Sequence, residues 1–224
     1  MAFIPDGNRR WAKKHGLSVL RGHEKGIDRM GDVLTWCREE GIKMASFWAF
    51  STENFKRDAQ EVNALFEAFE TRLSKVLREA EFEKHKVKVR FIGNTSLFPK
   101  KIQMGIKKVE NETAGYGKYF LNLFIGYGGR AELIAASQKL AKDFSKNPSQ
   151  IGEAEFESCL WTAGLPDPEL IVRTSGEMRI SGFMPFQSAY SELYFCKKLW
   201  PDFSRADFED AISEFAKRKR RWGK

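Results

Sequence analysis

The first side chains that could do chemistry follow a short apolar run at the start of the chain. Residues 5–12 read Pro-Asp-Gly-Asn-Arg-Arg-Trp-Ala, so a carboxylate, a glycine, an amide and two guanidiniums lie at the mouth of a predicted helix. A carboxylate oxygen suits a hard metal ion, and guanidiniums with backbone N–H groups bind phosphate. The segment predicts a phosphate site, with an ordinary turn before an amphipathic helix as the alternative.

Three later segments carry related chemistry next to apolar runs. Residues 51–57 form a polar loop after the second run, although Ser51 or Thr52 could equally cap a helix. Residues 173–181 place two arginines and two serines in one loop, which suits a diphosphate. Glu192 opens the last apolar run, and we expect its carboxylate near the same mouth. Together the four segments favour a phosphorylated substrate.

Short β-rich runs alternate with helical patterns along the whole chain. The strands are predicted at 2–4, 44–50, 87–92, 119–125, 170–173 and 192–195. The helices are predicted from residue 58, with apolar residues as far as 77, and at 25–40, 100–112, 130–142 and 205–220. This alternation predicts one α/β domain over residues 1–224, a mostly parallel six-stranded sheet flanked by helices. Ligands bind such sheets beyond the carboxyl ends of the strands.

Composition excludes several classes of protein. The 224 residues are 42% hydrophobic, enough for a substantial core, and disorder of the whole chain is excluded. No apolar run is long enough to span a membrane, and no signal peptide begins the chain, so we expect a cytoplasmic location. Cys37, Cys159 and Cys196 lie far apart in sequence, which predicts buried thiols.

The net charge of +8 favours an anionic partner, which on charge alone means nucleic acid, a phosphorylated small molecule or an anionic membrane. No nucleic-acid recognition motif is present, so we expect no nucleic-acid partner. The sequence also lacks a P-loop, a dinucleotide fingerprint and the paired histidines of a zinc hydrolase.

At the level of whole motifs, the sequence resembles the cis-prenyltransferases, the undecaprenyl and dehydrodolichyl diphosphate synthases. The matching segments follow one order along the chain: Asp6-Gly7-Asn8-x-Arg10-Trp11-Ala12, Gly22-His23-x-x-Gly26, Ala49-Phe50-Ser51-x-Glu53-Asn54-x-x-Arg57, Tyr127-Gly128-Gly129-Arg130, Arg173-Thr174-x-Gly176-Glu177-x-Arg179-x-Ser181-x-Phe183, Tyr190-x-Glu192-Leu193 and Leu199-Trp200-Pro201. The sequence has no Asp-Asp-x-x-Asp, which agrees with a cis rather than a trans enzyme.

The resemblance implies a dimeric α/β enzyme that extends an allylic diphosphate with isopentenyl diphosphate, using Mg²⁺. It implies that Asp6 holds the metal with Glu192 and helps the diphosphate leave, and that Asn54 accepts or relays a proton. The substrate-binding residues that it implies are Gly7, Asn8, Arg9, Arg10, Trp11, Arg21, His23, Ser51, Thr52, Glu53, Phe55, Arg57, Arg173, Arg179, Ile180, Ser181, Arg221 and Gly223. Arg221 and Gly223 would reach the partner in a homodimer.

A hydrophobic product tunnel is expected between the second and fourth strands and the helix after Asp58. Phe66 and Phe69 would line it, or would simply belong to the core. Tyr119 and Phe124 are bulky, which suggests a short tunnel if their side chains enter it. Contact with a membrane would help to release a long product.

The sequence departs from the family at Val19, where many relatives carry a diphosphate-binding arginine. Arg21, two residues later, is the candidate replacement. The departure leaves open an enzyme that couples allylic diphosphates irregularly or in a single step. A non-catalytic partner subunit is the other alternative, although such subunits lose the first aspartate, and Asp6 is present.

Overall fold

A computed structural model describes residues 1–76, 80–145 and 148–218. Six strands lie within these residues: β1 (Ala2–Ile4), β2 (Met44–Ser51), β3 (Val87–Ile92), β4 (Tyr119–Tyr127), β5 (Leu170–Arg173) and β6 (Glu192–Phe195). They form one sheet in the order β3-β4-β2-β1-β5-β6, and every neighbouring pair is parallel. The predicted α/β class and six-stranded sheet are confirmed.

Eight α-helices lie in the part of the chain that the structure describes. They are α1 (Asn8–Lys14), α2 (Val19–Glu39), α3 (Ala59–Val76), α4 (Ala80–Lys84), α5 (Lys100–Thr113), α6 (Gly129–Asp143), α7 (Glu153–Cys159) and α8 (Arg205–Lys217). The sequence pattern missed α4 and α7, because five to seven residues are too few to show a helical period. The second helix begins earlier than predicted because Ser18 caps it, its Oγ accepting from the N–H of Arg21.

Two cores lie on opposite faces of the sheet, as the alternation along the strands requires. On one face, Phe3 and Phe47 pack with side chains of α2, α3, α5 and α8. On the other face, Ile4, Phe124 and Tyr127 form a second core, and Glu132 of α6 hydrogen-bonds to Tyr127 there. All three cysteines are buried free thiols, as predicted. Within the described residues, no helix is both long and apolar enough to cross a bilayer.

Strands β2 and β4 run one and two residues further than predicted, and the pairing between them is irregular near their carboxyl ends. Trp48 pairs with Phe124 and Phe50 with Ile125, so Ala49 is an extra residue in β2. A bulge of this kind bends a strand and changes the direction of the side chains that follow. The change of direction occurs where β2 reaches its polar loop.

Helix α5 protects the exposed edge of the sheet at β3. The N–H of Phe91 donates to Glu110 Oε1 at 2.9 Å, and the N–H of Val89 donates to Thr113 Oγ1 at 3.1 Å. The Thr113 hydroxyl in turn donates to the carbonyl of Val109 at 2.9 Å. Two outward N–H groups of an edge strand are therefore satisfied by side chains of one helix.

Replacing Thr113 with valine tests this capping of the edge. The change keeps the volume but leaves the buried N–H of Val89 without its acceptor, so we expect a loss of about 1–3 kcal/mol in the free energy of unfolding. Urea denaturation measures it. Thr71→Val is the matched control, because Thr71 is an exposed helical threonine whose hydroxyl also donates to a backbone carbonyl. Equal losses in the two variants would contradict the capping role.

Candidate active site

The loops after β1 and β5 are joined by a pair of backbone-to-side-chain hydrogen bonds. The N–H of Asp6 donates to Thr174 Oγ1 at 3.0 Å, and the Thr174 hydroxyl donates to the carbonyl of Asp6 at 2.7 Å. Because β1 and β5 are parallel neighbours, their carboxyl ends meet at the same edge of the sheet. The two loops that the sequence singled out for phosphate chemistry therefore lie together.

The Asp6 carboxylate lies between two guanidiniums. Arg173 Nη2 is 3.0 Å from Asp6 Oδ2, and Arg10 Nη2 is 3.3 Å from Asp6 Oδ1. Burial raises the pKa of Asp6, but the hydrogen bond from Arg173 and the charge of Arg10 outweigh it, so the pKa lies below its usual value. Asp6 is therefore an anion at neutral pH.

Helices α1 and α2 approach closely enough to require glycine in α2. A Cβ on Gly22 would lie 2.4 Å from the carbonyl oxygen of Asn8, and a Cβ on Gly26 would lie 2.4 Å from Asn8 Oδ1. No side chain fits at either position. The spacing Gly-His-x-x-Gly thus packs the start of α1 onto α2 and places His23 beside the resulting contact.

His23 lines the cavity beside Asp6 and is the most perturbed imidazole there. Burial, and then the charges of Arg57 and Arg9, lower the pKa of His23 to about 4, so the ring is neutral at neutral pH. Its Nε2 atom is buried and has no hydrogen-bond partner among the described residues. An unsatisfied ring nitrogen in a cationic pocket is a ready contact for an anionic ligand.

A second pair of cations is held by a carboxylate that sequence reasoning missed. Glu61 of α3 lies 3.0 Å from Arg57 Nη1 and 3.4 Å from Arg9 Nη2. Just before Arg57, the short 3₁₀ helix Thr52–Lys56 brings Asn54 to the cavity, where Asn54 Oδ1 accepts from the N–H of Ser51 at 3.0 Å. Glu61 had no motif around it, so only the packing of α3 reveals its role.

The loop after β5 adopts a conformation that few side chains prefer. Ser175, Ser181 and Met184 have φ of 79°, 52° and 49°, in the left-handed region. Hydrogen bonds hold the loop: Arg173 Nη1 donates to Ser181 Oγ at 2.7 Å and to the carbonyl of Arg179 at 2.5 Å. Such strain persists where the surroundings enforce it, and it clusters at functional sites.

Glu177 links this loop to α1. Its carboxylate lies 3.4 Å from Arg10 Nη1 and 2.6 Å from Arg179 Nη1. Arg10 therefore contacts both Asp6 and Glu177, and Arg173 contacts both Asp6 and the loop. The cations and carboxylates alternate, which holds each guanidinium in place.

A buried network on the other face of the sheet supports the same loop. Glu132 has no exposed surface, and its carboxylate accepts from the Tyr127 hydroxyl at 2.6 Å, from the N–H of Thr162 at 3.2 Å and from Gln187 Nε2 at 3.1 Å. Gly129 N–H donates to the carbonyl of Gly182, and a Cβ at 129 would clash with Pro185. The Tyr-Gly-Gly-Arg motif is visible in the sequence, but its role in supporting this loop depends on the tertiary packing.

A cavity of about 600 Å³ extends from this polar mouth between the sheet and the helices on one face. Its apolar lining comes from β2, β4 and α3, which were predicted, and also from α2, which was not. The α2 side chains are Ile27, Met30 and Leu34, and the others include Phe50, Leu65, Phe66, Phe69, Leu121 and Leu123. Phe66 and Phe69 both line the cavity and pack against the core, so the two alternatives for them are compatible.

A smaller hollow of about 170 Å³ lies further from the mouth. It shares Gly31, Leu34, Arg72 and Phe82 with the large cavity. Tyr119 lines this smaller hollow, whereas Phe124 lies on the opposite face of the sheet against Tyr127 and Phe183. The suggestion that Phe124 shortens the tunnel is therefore wrong, because its side chain faces the second core.

The structure brings ten of the 21 predicted site residues to the lining of the cavity. Those that line it are Asp6, Gly7, Asn8, Arg9, Arg10, His23, Ser51, Asn54, Arg57 and Arg173. Arg179 and Ser181 lie one contact away, through Arg173. Thr52 and Glu53 hydrogen-bond to each other beside it.

Four predicted binding residues have other contacts. Trp11 Nε1 donates to Asp202, and Phe55 packs against Phe50 and Phe98 in the core. Ile180 packs in the second core, and Arg21 is an exposed residue of α2 paired with Glu24 at 2.8 Å. Arg21 is two residues from His23 along α2, which places the two side chains on opposite sides of the helix, and Arg21 does not line the cavity.

Glu192 was expected near the mouth, where it would hold the metal with Asp6, and within one chain this expectation is wrong. Glu192 pairs in register with Leu170, the first residue of β5, whereas Asp6 follows the carboxyl end of β1. Glu192 therefore lies at the amino edge of the sheet, where Arg218 Nη1 is 2.6 Å from its carboxylate. The sequence pattern predicts that Glu192 begins a strand, but only the parallel register shows at which edge of the sheet Glu192 lies. Arg221 and Gly223 lie outside the described residues.

The residues at the mouth fit a magnesium ion held jointly with a phosphate ligand. Among the described residues, no group of three or more His, Cys, Asp or Glu side chains is placed to hold a metal, and Asp6 is the only carboxylate in the described lining of the cavity. Mg²⁺ is commonly bound by one or two carboxylates together with substrate phosphates and water. The ionised, partly exposed Asp6 would provide one such ligand.

The fold and the site define a protein that binds a phosphate ester with an apolar tail. Arginines 9, 10, 57 and 173 surround a mouth with one lining carboxylate, and the cavity behind it is apolar. The size of the cavity is within the range of small-molecule sites.

Comparison with known proteins identifies the family. Residues 4–223 match the sequence profile of the undecaprenyl diphosphate synthase prenyltransferases. The chain is 44% identical to the tritrans,polycis-undecaprenyl-diphosphate synthase (geranylgeranyl-diphosphate specific) of Thermoplasma volcanium, over 100% of this chain and 88% of that one. It is 42% identical to the isoprenyl transferase of Thermus thermophilus, with the same coverage. The crystal structure of lavandulyl diphosphate synthase from Lavandula x intermedia, in complex with dimethylallyl diphosphate, superposes with a TM-score of 0.95 at 33% identity, over 100% and 97% of the two chains. The chain belongs to the undecaprenyl diphosphate synthase family, and it is a cis-prenyltransferase.

The pKa of His23 predicts a pH dependence of stability. Between its unfolded pKa of 6.5 and its folded pKa of about 4, the unfolded chain binds the proton and the folded chain does not, so stability falls as the pH falls through this window. From pH 7 to 5 this one group costs about 2 kcal/mol. We expect His23→Gln to lose less stability than the wild type over that range, as measured by urea denaturation at both pH values. Parallel losses in the two proteins would contradict this assignment.

Proposed function

We propose that this chain is a Mg²⁺-dependent cis-prenyl diphosphate synthase whose reaction occurs at Asp6. One observation carries the proposal: an ionised carboxylate and four guanidiniums form the mouth of an apolar cavity of about 600 Å³. A prenyl diphosphate has the same division, with an anionic head and an apolar chain. The reaction condenses an allylic diphosphate with isopentenyl diphosphate.

The head of the allylic substrate is assigned to the side of the mouth formed by α1 and α2. Residues 7–10 and the unsatisfied Nε2 of His23 border one pocket, and Arg9 and Arg57 add positive charge there. When the allylic carbon–oxygen bond breaks, negative charge builds up on the leaving diphosphate. Preorganised cations in a partly buried site stabilise that charge.

Mg²⁺, when bound at Asp6 and the diphosphate, would neutralise further charge on the leaving group. Asp6 would hold the ion through a carboxylate oxygen, while Arg173 and Arg10 keep that carboxylate ionised and oriented. Neutral His23 is suited to donate a hydrogen bond to the diphosphate, or to take up a proton as the anion raises its pKa.

Isopentenyl diphosphate is assigned to the side of the mouth formed by the loop after β5. Arg173 donates to the Arg179 carbonyl and to Ser181 Oγ, which holds the three residues in one loop, and a second diphosphate would bind their guanidiniums and hydroxyl there. The new carbon–carbon bond then forms between the two substrates, and one proton leaves the isopentenyl unit. Asn54 borders the mouth next to Ser51 and is the proposed acceptor or relay for that proton.

The growing chain would occupy the apolar cavity and continue toward the hollow beyond Leu34. The archaeal relative's name specifies geranylgeranyl diphosphate, and we infer a similarly long allylic primer here on the 44% identity. The continuation of the cavity past α2 supports repeated additions. A long product fits a lipid carrier for sugar transfer, made by a cytoplasmic enzyme peripheral to the membrane.

Single-step coupling of allylic diphosphates is the second candidate. The close superposition on lavandulyl diphosphate synthase favours it, and Val19, one helical turn before His23, lacks the arginine of many relatives. Products resolved by chain length decide between the two. A ladder of lengths from labelled isopentenyl diphosphate supports elongation, and one condensation product supports coupling.

A homodimer is also part of the proposal. Met178 and Tyr190, both in the connection between β5 and β6, are 78% and 80% exposed. Met178 lies beside the mouth, because its neighbour Glu177 contacts Arg10, whereas Tyr190 lies just before β6 at the opposite edge of the sheet. We infer that the partner covers the exposed Met178. The partner would supply the C-terminal segment that contains Arg221 and Gly223.

Removing the Asp6 carboxylate tests the catalytic assignment. We expect Asp6→Asn to lower kcat by at least about 10²–10³-fold, because the side chain keeps its shape and acceptor oxygen but loses its charge. Prenyl transfer with a Mg²⁺ titration measures it, and circular dichroism checks the fold. Asp32→Ala is the control, because Asp32 is an exposed carboxylate on α2 paired with Arg29. Wild-type turnover in Asp6→Asn would overturn the proposal.

A large side chain introduced at Gly31 tests the path of the growing prenyl chain. Gly31 lines both hollows, and a Cβ built there meets no other atom within 4 Å. We expect Gly31→Phe to shorten the longest product by one or more isoprene units, since the ring would enter the open space. Gly31→Ala is the matched control, and it should keep the product length while favouring the helix. If Gly31→Phe gave the same product lengths as the wild type, the growing prenyl chain would not pass Gly31.

A further inference from the structure

Helix α5 exposes apolar surface on the side that faces away from the sheet. Met104, near its middle, is 71% exposed, and Leu97, three residues before the helix, is 47% exposed. The inward side of α5 is well packed, because Ile102, Ile106 and Val109 belong to the main core. The exposure is therefore confined to the outer face of a firmly anchored helix.

Four lysines surround Met104 at helical spacings. Lys100 and Lys101 lie one turn before it, and Lys107 and Lys108 lie one turn after it, so all four flank the methionine. Lys101 is 2.5 Å from Glu70 and Lys108 is 3.8 Å from Glu112. Among the described residues, no carboxylate oxygen lies within 4 Å of the ammonium nitrogen of Lys100 or Lys107, so neither lysine has an ion pair there.

We propose that Leu97, Lys100, Met104, Lys107 and Lys108 form a docking face for a lipid bilayer that contains anionic headgroups. The lysine ammonium groups complement the negative surface, and the two apolar side chains enter the boundary between headgroups and acyl chains. An exposed methionine surrounded by lysines matches a bilayer, in which anionic headgroups cover apolar acyl chains. A nucleic acid would satisfy the lysines but leave Met104 and Leu97 without an apolar partner.

The docking face borders the wall of the large cavity. Phe98 follows Leu97 directly, is buried and lines the cavity, where its ring lies 5.5 Å from Phe66 and 6.2 Å from Phe69 between centroids. Docking through α5 would therefore hold the product-bearing side of the molecule against the membrane. This purpose rests on the proposed function, whereas the docking itself requires only the described surface.

Vesicle flotation without substrates tests the docking face. The full chain is mixed with neutral phosphatidylcholine vesicles, or with vesicles in which about a third of the lipid is phosphatidylglycerol, at low and high salt. We expect binding to the anionic vesicles only, weakened by salt, and a loss of about fivefold in partition for each lysine removed. Lys100→Gln with Lys107→Gln is the charge variant, and Leu97→Ser with Met104→Ser is the apolar variant.

Matched controls separate the face from general charge or hydrophobicity. Lys139→Gln with Lys142→Gln removes two exposed lysines from α6 on the other side of the sheet, and Ile151→Ser removes an exposed apolar residue elsewhere. These controls should float like the wild type. The proposal is overturned if the wild type does not bind, if it binds neutral vesicles equally, if the α5 variants still bind, or if a duplex oligonucleotide competes at equal charge.

Prenyl transfer to a short, water-soluble allylic primer is measured in the same variants. We expect it to be unchanged, because none of the substituted side chains lines the mouth. Normal flotation with no prenyl transfer would count against the proposed function alone. Normal prenyl transfer with no flotation would count against the docking face alone.

Discussion

The ion pair between Asp6 and Arg173 is the contact on which the rest of the site depends. The Arg173 side chain is 6% exposed, so its charge has to be matched by protein groups, and Asp6 does so at 3.0 Å. The same guanidinium also holds Ser181 and the carbonyl of Arg179. One buried cation therefore fixes the loop after β1 relative to the strained loop after β5.

Close backbone contacts explain why the site motifs are rich in glycine. Gly22 and Gly26 let the start of α1 pack against α2, so that His23 of α2 and Asp6 line the same cavity. Gly128 and Gly129 let the start of α6 pack against Thr52 and the loop at Pro185. In both cases an added Cβ would clash with the segment packed against it, so the positions of nearby charged side chains depend on glycines.

The two faces of the sheet have different tasks. One face holds the cavity, where aromatic and aliphatic side chains line open space instead of filling it. The other face is closed by the Glu132 network and the stacked rings of Trp48 and Phe183, which support the loops from behind. One closely packed face and one face with an open cavity suit a site in which fixed charges act on a substrate of changing length.

Local patterns in the sequence determined the strands, the long helices and the loops that carry the charged residues, because apolar periodicity and turn chemistry are short-range signals. They also predicted that the segments of Asp6 and Arg173 lie at strand ends of one mostly parallel sheet, whereas the adjacency of β1 and β5 came from the structure. Tertiary structure alone decided which way side chains point and which end of a strand they occupy. Glu192 lies at the amino edge because β6 runs parallel to β5, and Arg21 stays outside the cavity because His23, on the opposite side of α2, faces it. Glu61 joins the cationic mouth although no motif marks it, because ion pairs between distant residues form only when packing brings α3 and α1 together.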